Sequence, residues 1–99
     1  MNNPLHALKQ IETLLQIKPS NSFEAAAAFS AVVSLTQLLS EKLELSELAQ
    51  QTNTANAISR IRFLAASVFG FDSPQGGDDI QLAMEEISKA RIGFQMPKA

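Results

Sequence analysis

The side chains able to do chemistry are few and scattered. His6 is the only histidine, and it falls in the first turn of a helix where nothing nearby supplies a second ligand or a proton partner. It reads as a solvated side chain. Glu85 and Glu86 are adjacent carboxylates, but neighbours on a helix point about 100° apart, so they cannot share a proton without another element and read as a solvated face. The stretch from Asp72 to Asp79 has the acids and glycines of a calcium loop. Gly77 takes the sixth place, yet Pro74 and Gly76 stand where oxygen ligands belong, and Ala83 stands where a bidentate Glu belongs. Gly76 and Gly77 lead into a helix N-terminus, but Asp78 and Asp79 already place negative charge there, against a bound phosphate. The chain has no cysteine, which removes disulfides, thiolate metal sites and cysteine nucleophiles together. No catalytic, cofactor-binding or metal-binding residue is assigned, and the expectation is a protein that is not an enzyme.

The elements around these residues define a small helical domain. A chain of 99 residues has the size of one domain, 1–99, with a single core. With 45% apolar and 18% charged residues it has the material for that core. Eight Lys and Arg against ten Asp and Glu give a net charge of -2, which supplies no field to gather nucleic acid or anionic lipid. The N-terminus shows no apolar run preceded by positive charge, so a cytoplasmic chain is expected. The uncharged run from Ala25 to Leu39 is shorter than the roughly 20 residues a membrane span needs and is broken by Ser30, Ser34, Thr36 and Gln37. It reads as a core helix.

Asn3 followed by Pro4 marks a first helix, with Ala7, Leu8, Ile11, Leu14 and Leu15 on one face and an end before Pro19. Asn21 with Glu24 forms a loose capping box for a second helix over about 22–43. There the polar residues Ser30, Ser34, Gln37, Glu41 and Glu44 trace one narrow stripe. The apolar residues around it span an arc of about 220°, wider than the ~100° that one core requires. This helix is expected to be the central element, covered on more than one side. A third helix is predicted from about Thr54 to Phe69, stopped by Gly70, and a break at Thr52, Asn53 and Thr54 is predicted ahead of it. A fourth begins at a cap on Asp78 or Asp79, carries Ile80, Ala83, Met84, Ile87 and Ala90 inward, and stops at Gly93, leaving a frayed tail at 94–99. The fold class is all-α, a small four-helix bundle-like domain.

Leu45, Leu48 and Ala49, followed by Asn53 and then Ile58, Ser59, Arg60 and Ile61, resemble the helix-turn-helix of bacterial repressors. The resemblance covers residues 45–61 and implies a DNA-binding transcriptional regulator whose second helix offers Ser59 and Arg60 to the major groove. It departs from that pattern at Thr54, where an apolar residue normally locks the turn, and the spacing from Ala49 to Ile58 is one residue short. Arg60 and Arg62 also diverge by about 200° around the axis, so a nucleic-acid partner is disfavoured.

Surplus apolar surface points instead to association. Phe63 lies on the nominally polar side of the third helix near Arg60, and Leu82 lies with Glu86 and Lys89 on the fourth. With the broad second helix, this is more hydrophobic surface than a four-helix monomer hides comfortably. The expected role is a protein–protein interaction module that pairs with itself and with another protein. An adaptor, a chaperone-like subunit, an inhibitor or immunity-type protein and a phage-encoded modulator all fit. Phe29, Val32, Val33, Leu39, Phe63 and Leu82 are the candidate interface residues.

Overall fold

A computed structural model describes residues 3–44, 51–71 and 78–95. They form four helices: α1 (Pro4–Leu15), α2 (Ser22–Glu44), α3 (Gln51–Val68) and α4 (Asp79–Gln95). Helix α1 packs on α2, α2 on α3, α3 on α4, and α4 returns to α1, so the helices close a ring around a shared core, with the α3–α4 interface the most extensive. The core is mostly aliphatic, with Phe69 the aromatic among its buried residues: Leu8, Ile11 and Leu15 from α1, Val32 and Leu39 from α2, Ile61 and Ala65 from α3, and Ala83, Ile87 and Ala90 from α4.

The local signals act as their chemistry dictates. Asn3 Oδ1 accepts the His6 backbone N–H at 2.8 Å, with Pro4 behind it at the first helical position. Asn21 Oδ1 accepts from Glu24 N at 2.8 Å, while the Glu24 carboxylate reaches back to the Ser20 N–H at 2.9 Å. That is a reciprocal cap displaced by one residue from the standard box. Gly70 ends α3 with φ +85°, and the Gly70 and Phe71 N–H groups return to the Ser67 and Ala66 carbonyls at 3.1 and 2.7 Å. Those two bonds make a Schellman motif, which needs a left-handed residue and so a glycine. Asp78 caps α4 through Gln81 N at 3.2 Å.

The structure differs from expectation at several points, and Ile80, expected inward on α4, is exposed. The predicted break at Thr52–Thr54 is helix: α3 begins at Gln51, and Thr54 is buried. Its hydroxyl sits in the α3–α4 contact, so tertiary packing overrides its local preference for a turn. The turn required by the helix-turn-helix resemblance is therefore absent at Asn53; Leu45, Leu48 and Ala49, which open that resemblance, lie outside the described residues. Gly93 does not stop α4, which runs on to Gln95; Gly93 is buried against α3 instead. Positions 72–77, weighed above against the calcium-loop pattern, and the tail at 96–99 also lie outside the described residues.

Helix α2 also differs from expectation. At 23 residues it is, by length and composition alone, long and apolar enough to cross a membrane. It is not enclosed around most of its circumference. One seam, Ala25, Ala28, Val32, Thr36, Leu39 and Leu43, is buried between α1 and α3, at the spacing of a single helical face. Ala31, Val33, Leu35 and Leu38 are half-buried along its margins. Phe23, Ala26, Ala27, Ser30, Ser34, Gln37 and Glu41 face outward, so the polar stripe marks the side opposite the core.

Candidate interaction surface

Helices α3 and α4 run antiparallel. The Ser67 hydroxyl, at the end of α3, donates to Asp79 Oδ2 at the start of α4. Thr54, near the start of α3, meets Gly93 near the end of α4. Between these two contacts the outer sides of the helices leave a shallow groove in two adjoining parts. The upper part, about 430 Å³, is lined by Arg60, Phe63, Leu64, Leu82 and Glu86. The lower part, about 440 Å³, shares Arg60 and Glu86 and continues past Asn53, Asn56, Ala57, Lys89 and Ile92.

The apolar residues of this groove are poorly covered by the chain itself. Phe63 is 65% exposed and Ile92 55% exposed, while Leu82 is half-buried against the core beside buried Leu64. Phe63 and Leu82, picked out separately as outward-facing on their own helices, thus face one groove. Its polar residues are ordered as well. Glu86 is only 6% exposed, which overturns its reading as part of a solvated face, whereas Glu85 is exposed. Packing of α4 on α3 turns Glu86 inward. Its Oε2 takes Lys89 Nζ at 2.9 Å, with the lysine largely in solvent, so a buried carboxylate is held at the groove floor by a cation at its rim. Arg60, exposed on the opposite wall, makes no ion pair among the described residues.

The other candidate interface residues take different places. Val32 and Leu39 have no exposure and have no surface to offer a partner; both belong to the core seam of α2. Phe29 is half-buried, and its ring lies 5.4 Å from that of Phe71 beyond the α3 cap. Val33 is half-buried, its carbonyl accepting the Thr36 hydroxyl at 2.7 Å. Arg62 lies on the α2 side of α3, where its Nε and one terminal nitrogen each donate to Thr36 Oγ1 at 3.3 Å. The structure therefore separates the set: Phe63 and Leu82 share a surface, and the α2 residues stand elsewhere.

The chain matches no protein-family model, no curated protein and no solved structure. Among the described residues, His, Asp and Glu form no group of three able to share a metal ion, and His6 is exposed in the first turn of α1. Glu86 is the groove residue that sequence reasoning missed. The available signal was its position: on the α4 wheel it stands between the inward Ala83 and Ala90 and the outward Leu82 and Lys89.

Proposed function

We propose that the chain is a small non-enzymatic protein–protein interaction module that acts through an apolar helical surface and works as a homodimer. The observation that carries this reading is Phe63, 65% exposed beside half-buried Leu82 over a groove whose floor is core. A phenyl ring in water forgoes roughly 1.5–3 kcal/mol relative to burial, a cost that a partner surface removes. The walls are two packed helices rather than loops, so the site is rigid before it is filled and a partner gains from that preorganisation. The width of α2 supplies less support than its composition implies, because its outward side is small and polar.

The test is molar mass in solution by sedimentation equilibrium. The expected species at tens of micromolar has twice the 10.7 kDa of the chain. A single-chain mass at every concentration would overturn the dimer.

A further inference from the structure

We infer that the α3/α4 groove is closed by the same groove of a second copy, related by a two-fold axis parallel to the helices. This rests on the homodimer reading above and assigns its surface and register.

Two antiparallel helices climb by the same rise per residue, so equal steps from a shared contact stay level. From the Ser67–Asp79 hydrogen bond, two turns back along α3 reach Arg60 and two turns forward along α4 reach Glu86. Phe63 and Leu82 lie between, close to one level, and both line the upper groove. The groove thus carries an apolar pair one turn above a cation and a carboxylate, each pair split across the two walls.

A two-fold axis along the groove lays α3 of one copy over α4 of the other without changing height. Each residue on α3 then meets what stands level with it across the groove. Phe63 meets the partner subunit's Leu82, and the reverse contact follows by symmetry, giving a four-residue apolar cluster. Arg60 meets the partner subunit's Glu86, a carboxylate at the groove floor that also keeps its own Lys89 bridge, and again the contact occurs twice. A generic apolar peptide would cover the ring of Phe63 but leave Arg60 unanswered. A second copy supplies the opposite charge at the right height by construction. The other two-fold, perpendicular to the helices, stacks α3 on α3 and loses this pairing.

The size is sufficient for a modest dimer. Helix α3 has 18 residues, and two helices side by side at their usual spacing make a face about 27 Å by 20 Å, or roughly 540 Å² per copy. That doubles to about 1,100 Å², at the lower edge of specific interfaces, so exchange between monomer and dimer is expected to be measurable.

The experiment uses the full chain, sedimentation for mass and circular dichroism for fold. Phe63→Asp, at an exposed position, should keep the helical spectrum and halve the mass, with the melting temperature lowered only by the loss of the dimer. Arg60→Glu and Glu86→Lys should each weaken the dimer at least tenfold, because each places like charges across the axis. Mixed one to one, the two variants should recover a dimer of mixed composition, visible by native mass spectrometry. Should Glu86→Lys not fold, Phe63→Cys mixed with Leu82→Cys replaces it: the chain has no other cysteine, and a disulfide joining the two variants is expected. A native chain that is monomeric overturns the homodimer reading and this inference together. A native dimer that keeps its mass with Phe63→Asp, or charge variants whose mixture binds no better than either alone, overturns the groove assignment and leaves the homodimer standing.

Discussion

Gly93 on α4 lies against Thr54 on α3, so close that a Cβ added to the glycine would overlap the Thr54 hydroxyl and stand 3.0 Å from its Cβ. Helix propensity alone favours Ala over Gly by about 1 kcal/mol at such a position. Overlap with a buried side chain reverses the sign. Gly93→Ala is expected to destabilise the fold by roughly 1–3 kcal/mol, seen as a lower midpoint in urea. Adding Thr54→Ala should recover only part of the loss, since the Thr54 Cβ is itself too near. A Gly93→Ala protein as stable as the native one would show that the helices separate there without cost.

Thr36 is fully buried on α2, and its hydroxyl both donates to the Val33 carbonyl and accepts from the Arg62 side chain. This contact ties the middle of α2 to α3. Thr36→Val keeps the shape and removes both bonds, so a loss of about 0.5–1.5 kcal/mol is expected. Arg62→Ala should cost less, because it removes only an exposed donor and leaves the Thr36–Val33 hydrogen bond in place. A double-mutant cycle over the two positions measures the coupling directly.

The helices and their caps were legible because they depend on local chemistry. Asn3 with Pro4, Asn21 with Glu24, Asp78 and Gly70 each act within one turn of the chain, so their partners can be read from spacing. What misled were residues whose local preference yields to a distant contact. Thr54 reads as a helix breaker and Gly93 as a helix stop until α3 and α4 are laid together; each then explains the other. Glu86 reads as solvated for the same reason. Phe63 and Leu82 were visible singly as outward apolar residues, but their sharing a groove depends on the α3–α4 register, which periodicity does not contain. On α2 the error was one of counting: alanine adds to an apolar arc without requiring burial, and Ala26 and Ala27 are exposed.

Val32 sits at the centre of the α2 seam with no solvent exposure and no polar group of its own to pair. Val32→Asp places a carboxylate out of water in the core seam. The expected cost is roughly 4–5 kcal/mol, comparable to the whole stability of a marginal small domain. The variant should lose its helical spectrum at 25 °C. A folded, cooperative melt near that of the native chain would mean that the seam opens to water more readily than its burial implies.

Phe23 and Phe63 are both exposed aromatics, at 83% and 65%, and exposure alone would rank Phe23 first. Their surroundings differ. Beyond Phe23 the outward side of α2 continues as Ser30, Ser34, Gln37 and Glu41, so no second large apolar residue on that stripe joins it. Phe63 has Leu82 beside it and Arg60 and Glu86 one turn below, which is the arrangement of an anchor with a polar surround. Phe23→Ser should therefore change stability by no more than about 0.5 kcal/mol and leave the molar mass as it was. If Phe23→Ser were to halve the mass while Phe63→Asp did not, the surface on which the chain pairs would be the outward side of α2, and the charge pairing of Arg60 with Glu86 would have no part in it.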